Sequence, residues 1–335
     1  MRIILHTLWI LAACGGNKAG DDNTLESDGL DKSLGPWTLV TDEIEGAVLL
    51  SAWSDGPTIR VVGGNLGGGE GIIVHGDADQ LCVERGVTER ALWWIHGSEP
   101  GEWTAVGESG TVLHESAGLR TRMDAPTDAT LFGVFVNGPD TWVAGGHFAS
   151  GENDGEIWRH DGEAWEAIAL GLPSVLFKVW GEWFVGENVS YRLDPSTGDL
   201  EAFDVAGRLL TVRGTTNEDV WAVGGLVSPL VLHFEGGEFV PVDTTGLSSA
   251  INGVYTDTES GVWIAGNNGT TAQWTDDGWL QPDVPLTPDH LHAVWRHNNA
   301  TWWFGGDLFK TGDNHGTIVR YSEDGRIPEV VDCTD

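Results

Sequence analysis

The sequence is short of nearly everything that announces a membrane span or a standard active site. No apolar run reaches the roughly 20 residues that a bilayer-crossing helix needs; the run at residues 3–13 has 11 positions and contains His6 and Thr7. No segment sustains an apolar period of 3.6 residues with capping residues at its ends, so amphipathic helices are not expected. There is no G-x-S-x-G elbow for a serine nucleophile, and no H-x-x-x-H or C-x-x-C spacing for zinc. The glycine-rich run GGNLGGGEG at 63–71 lacks the Lys-Ser/Thr of a phosphate-binding loop. Lysine is nearly absent: Lys18, Lys32, Lys178 and Lys310 are the full set.

The shortage of positive charge is general. Against 51 Asp and Glu stand 17 Lys and Arg, a formal net charge of −34. Such a field repels phosphate backbones, which argues against a nucleic-acid partner. It attracts cations and basic surfaces, and it also serves as a solvated coat that keeps a protein soluble.

What is present is repetition. A glycine recurs at Gly63, Gly107, Gly145, Gly186, Gly224, Gly266 and Gly305, about every 40 residues. A tryptophan precedes it in six cases (Trp103, Trp142, Trp183, Trp221, Trp263, Trp302), and Ile59 stands there in the first. About ten residues ahead lies an apolar run: LLSAW, LWWIH, LFGVF, LFKVW, LLTVR, INGVY and LHAVW. A third run follows each glycine, as in GIIVH, GTVLH and GTIVRY, and several repeats add a fourth after a DG or GG turn. Short runs rich in Val, Ile, Trp and Thr, bounded by Gly, Asp, Asn and Pro, are strands. Four strands per repeat predict an all-β fold, a seven-bladed β-propeller of four-stranded antiparallel blades over residues 36–335.

The repetition then has a physical reason. A lone blade has two apolar faces, and stacking blades around an axis buries them. Each tryptophan brings on the order of 150–250 Å² of surface to that burial. The closing glycine is expected to loosen the backbone as the sheet turns away. A ring also needs closing. Residues 35–43, GPWTLVTDE, and the chain end, RIPEVVDCTD, are both candidates for the closing strand.

The N-terminal residues MRIILHTLWILAAC combine Arg2 with a short apolar core and small residues before Cys14. They resemble the signal and lipobox of bacterial lipoproteins. The resemblance implies a signal peptide at 1–13, cleavage before Cys14 and acylation of Cys14, giving membrane attachment through lipid alone. By Gram-negative sorting rules, Gly15 in place of an acidic residue implies the outer membrane of the cell envelope. Residues 14–35 are polar and aperiodic, as a flexible tether would be. Cys82 and Cys333 remain as a pair in an exported chain, where disulfides persist. A bridge between them would close a long loop, credited with roughly 4–5 kcal/mol by the loop-entropy argument; the alternative is two separate thiols.

Segments such as LLTVRGTTNEDVWAVGG followed by VLHFEGGEFVPV resemble the propeller repeats of exported bacterial proteins. The GG endings and the later Trp of DGEAWEAI are similar to kelch blades. GTIVRYSEDG is similar to BNR and photosystem II assembly-factor-like propellers. The sialidase Asp-box, Ser-x-Asp-x-Gly-x-x-Trp, is not matched by 275–279 or 322–325.

Candidate site residues follow from breaks in the pattern. The innermost run ends on Trp53, His96, Phe135, Trp180, Arg213, Tyr255 and Trp295, with Arg296 next. In this mostly aromatic column His96, Arg213 and Arg296 are basic. With Tyr255 and Trp295 they form a candidate site for an anionic or sugar ligand, the alternative being salt bridges to nearby carboxylates. HGDADQ and GENDGE offer Asp77, Asp79, Asn153 and Asp154 as candidate Ca²⁺ donors, although neither matches a complete calcium loop. No cofactor and no catalytic set are indicated. The expected role is a lipid-anchored binding scaffold for an envelope protein or a glycan. The alternatives are a propeller glycoside hydrolase or polysaccharide lyase, and an assembly factor for an envelope complex.

Overall fold

A computed structural model describes residues 33–333, apart from 35, 67, 150–151, 206 and 308–313. The expected signal peptide, Cys14 and almost all of the expected tether therefore lie outside the described residues. Those residues contain strands and turns and no α-helix. Six antiparallel blades run without interruption from Val48 to Leu280, and the seventh begins at His290–His297. The inner strands of the seven blades are Val48–Ser54, Leu92–Glu99, Thr130–Asn137, Leu176–Trp180, Leu209–Thr216, Ile251–Asp257 and His290–His297.

The two ends of the chain divide the work at the seam. Trp37–Glu45 pairs antiparallel with His315–Tyr321 and so completes blade 7, with Trp37 opposite Tyr321 and Leu39 opposite Val319. Glu329–Asp332 adds a fifth strand to blade 1, running parallel to Gln80–Thr88. Apolar content explains the division. Trp37, Leu39 and Ile44 are buried, and the Trp37 ring lies 5.0 Å from Trp303 and 4.8 Å from Tyr321. The C-terminal strand offers only the half-buried Val330 and Val331 between acidic ends. Cys82 and Cys333 are joined by a disulfide that ties this last strand to blade 1.

The recurring glycine proves to answer a different need from the one expected. In every blade the inner strand bulges near its start, as between Leu49 and Ser51, Leu92 and Trp94, or Leu176 and Lys178. The bulge pushes a backbone carbonyl toward the neighbouring strand where the glycine sits. A Cβ on Gly63 would lie 1.9 Å from the Val48 oxygen, and one on Gly224 would lie 2.0 Å from that of Arg208. Close approach, rather than freedom to turn, excludes a side chain there.

The tryptophan column is likewise corrected in one blade. Trp142, Trp183, Trp221, Trp263 and Trp302 stand three residues before the glycine, but Trp103 stands four before it. Side chains alternate along a strand, so Trp103 faces the other side of its blade. It is buried there and donates its indole N–H to Glu115 at 3.0 Å.

Candidate functional site

The bulges also decide what lines the axis. The residue that each bulge leaves unpaired is Leu50, Trp93, Phe132, Phe177, Leu210, Asn252 or His292. The first five, from five different blades, meet in one apolar cluster. This end of the channel is plugged by hydrocarbon.

The other end is a ring built from the last residue of each inner run. His96 lies tilted 4.8 Å from Phe135, Phe135 lies 6.0 Å from Trp180, and Tyr255 lies 5.2 Å from Trp295. Trp180 leans over the Cβ-less Gly214, and Trp53 leans over Gly97. Trp295 closes the ring by donating to the Ser54 hydroxyl at 2.9 Å. The two members that are not Trp, Tyr or Phe, His96 and Arg213, are thus each followed by a glycine that admits the tryptophan of the preceding blade. That pairing is visible in the sequence as HG and RG after the apolar run.

Arg213 is the centre of the ring. Its guanidinium stands 4.5 Å from the Tyr255 ring centroid and 4.2 Å from that of Trp295, one and two blades away. It makes no hydrogen bond or ion pair with any described residue, and its Nε is buried without a partner. It is only half-buried to solvent, although protein surrounds it closely. Burial lowers its pKa to about 10, opposed by Tyr255 and Asp257. It stays charged at neutral pH. In contrast, Arg60, Arg85, Arg120, Arg159, Arg192 and Arg208 each hold a carboxylate within 4 Å.

The remaining candidates divide. His96 accepts a hydrogen bond from the Val136 N–H on Nδ1 at 3.0 Å, which leaves its proton on Nε2. Burial and the Arg213 charge push its pKa down to about 3, so it serves as a neutral donor. Tyr255 is pushed up to about 12 by burial and remains a phenol. Arg296, one residue beyond the ring, turns between blades, 5.9 Å from Trp263 and bonded to the Thr301 hydroxyl.

Sequence reasoning missed a second axial cation. Lys178 crosses the Cβ-less Gly133 of blade 3 to stand 4.2 Å over Trp94 of blade 2. It donates to the Phe132 carbonyl at 2.8 Å. Burial lowers its pKa to about 7. His292 shares this part of the axis, with burial and the charges of His290 and Lys178 lowering its pKa to about 3. Its Nε2 is buried without a partner.

The candidate calcium donors stand in two places, Asp77 and Asp79 in the turn between the third and fourth strands of blade 1 and Asn153 and Asp154 on the third strand of blade 3. Asp77 caps its own turn through the N–H groups of Asp79 and Gln80. Asp79 pairs with Arg326, and Asp154 pairs with His147. Asn153 lies on the strand Glu152–His160, and its side chain is outside the described residues. Two cavities lie away from the axis. A groove of about 460 Å³ runs between the outer strands of blades 4 and 5, lined by Trp183, Phe203, Phe234 and Phe239. Its cation, Arg192, is already paired with Glu182 and Glu218. A pocket of about 380 Å³ at the seam contains Asp289 and His315, which bond each other at 3.0 Å. Neither offers an unpaired cation among the described residues, as the channel mouth does.

No protein-family model and no curated protein matches the sequence. Solved structures do match in shape. YCF48 bound to D1 peptide is 15% identical, with a TM-score of 0.62, covering 87% of this chain and 98% of that one. YCF48 from Cyanidioschyzon merolae is 14% identical, with a TM-score of 0.60 over 86% and 99% of the two chains. The extracellular domain of a one-component system, BT4673, from B. thetaiotaomicron is 13% identical, with a TM-score of 0.57 over 83% of this chain and 39% of that one. At these identities the likeness establishes the seven-bladed β-propeller fold and nothing finer.

Proposed function

We propose that this protein is a binding scaffold of the bacterial cell envelope, anchored by lipid at Cys14, that takes a protein segment at the mouth of its propeller channel. One observation carries the reading. In a chain with three acids for every base, the cation at the channel mouth makes no ion pair with any described residue, and the Asp257 charge acts on it only from beyond ion-pair distance. Leaving a charge desolvated and unpaired costs stability, and a carboxylate from outside would relieve that cost. The aromatic ring around Arg213 supplies apolar contact for the flanking side chains. The acidic exterior favours a segment whose remaining charges are basic. A propeller of the same fold is known bound to a peptide, which supports a protein segment over a glycan as occupant.

The test is cross-linking in native membranes with a photoreactive residue at Phe135, in the ring, or at Leu170, exposed on the rim of blade 3. The expected result is a discrete protein adduct from position 135, absent from 170 and lost with Arg213→Gln. Adducts from 170 alone would move the site to the rim. Palmitate labelling that persists in Cys14→Ala would overturn the anchor separately.

A further inference from the structure

Three adjacent strands of the enlarged blade 1 bring three metal-binding side chains to one point. His75 and Cys82 are directly opposite each other on neighbouring strands, and Cys333 follows the strand paired beside Cys82. The Cys333 N–H donates to the Val83 carbonyl at 3.0 Å, which fixes that end of the chain. His75 Nε2 lies 3.7 Å from the Cys82 sulfur and 3.6 Å from the Cys333 sulfur. Among the described residues this is the one group of three or more His, Cys, Asp or Glu donors close enough to share an ion.

Those distances can be compared with a coordination sphere. Zinc–sulfur bonds of about 2.3 Å and zinc–nitrogen bonds of about 2.0–2.1 Å at a tetrahedral angle place nitrogen about 3.5 Å from each sulfur. The imidazole is already there. Only the two sulfurs must separate, from bonded contact to roughly 3.8 Å. Their Cα atoms are 5.0 Å apart, so rotation about the side-chain bonds supplies that opening. Glu84, two residues after Cys82, holds a carboxylate oxygen 4.0 Å from His75 Nε2 and is within reach of the fourth position.

We infer that His75, Cys82 and Cys333 form a zinc site when the disulfide is reduced, with Glu84 or water as the fourth ligand. The seam is then held by one of two interchangeable clasps, a disulfide or a metal. The step balances with a phosphine as reductant. It breaks the S–S bond, and water supplies the oxygen of the phosphine oxide and two protons to the two thiols. Zinc then displaces both thiol protons to solvent and binds two thiolates and one neutral imidazole. This inference does not depend on the proposed function.

The test uses the full-length chain carrying Cys14→Ala, which removes the third cysteine. The oxidised and phosphine-reduced forms are titrated with Zn²⁺ against a chelating indicator, and with Co²⁺ to read thiolate-to-cobalt charge transfer. The expected result is one equivalent of tight binding in the reduced form only, with the charge-transfer band. Binding should weaken tenfold or more in His75→Ala and vanish in Cys82→Ser. A reduced, folded protein that takes up no zinc overturns the inference, as does equal affinity in His75→Ala. Should reduction unfold the chain, zinc restores the near-UV circular dichroism if the site exists, and failure to restore it is equally decisive.

Discussion

At the scale of single residues, the molecule holds buried groups that oppose folding and have defined signatures. Arg213 is one. Burial disfavours its charge, a cost set against cation–π contacts worth about 0.5–2 kcal/mol. Arg213→Met is therefore expected to raise stability, on the order of 1 kcal/mol by urea unfolding, while abolishing the mouth adduct. Titration supplies two further cases. His96 and His292 stay neutral down to about pH 3 in the fold, whereas in the unfolded chain they take up protons near 6.5. The unfolded state binds more protons in that interval, so stability falls as the pH drops from 6.5 toward 3. The double variant His96→Gln/His292→Gln should flatten that decline. Glu108, 8% exposed, behaves oppositely. Burial raises its pKa from 4.5 to about 7, with the Arg90 charge opposing. The native state holds the extra proton there, so stability is lost as the pH rises from 4.5 to 7. Glu108→Gln should remove that loss, as measured by denaturant midpoints across pH. The corresponding turn of blade 6 carries Asn267, an amide that serves the same place without a charge.

At the scale of strands, the bulge is the repeating device, and it explains what could be read in advance. The strands, their turns and the count of blades were legible because period-two apolar runs and Gly/Asp punctuation repeat at a fixed interval. Arg213 and His96 were legible because they interrupt an aromatic column. Lys178 was not, because its column reads Ser51, Trp94, Gly133, Lys178, Thr211, Gly253 and Ala293, with no pattern to break. His292 was hidden because a bulge is a backbone event, and only the bulge turns that position to the axis. The same geometry misdirected the reading of the glycines. Alanine at these glycines should cost stability in the order of carbonyl approach. Gly63→Ala, at 1.9 Å, should lose about 1–3 kcal/mol, and Gly266→Ala, at 2.7 Å, should lose least. Unfolding midpoints of the two variants check the ranking, and a reversed order would overturn the explanation.

At the scale of the whole ring, the two chain ends do unequal work. Without residues 36–45, blade 7 loses its outer strand and exposes an unpaired edge beside Trp303, so cooperative unfolding should be lost and association should follow. Without residues 329–335, the ring remains closed and the channel mouth intact. That deletion should remove up to about 5 kcal/mol, the loop-entropy share of the bridge. Tryptophan-monitored denaturation of the two deletions checks the difference, and equal collapse of both would overturn the assignment of closure to the N-terminal strand.

The bridge has a further consequence, for proteolysis. Cys82 and Cys333 are 251 residues apart in sequence, so the disulfide turns almost the whole chain from the outer strand of blade 1 through blade 7 into a covalent circle. The first three strands of blade 1 and the whole of the chain before them lie outside it. A protease that nicks any one exposed turn within that circle opens it without releasing a piece. The nicked protein keeps its full mass on a non-reducing gel and separates into two fragments once the bridge is reduced.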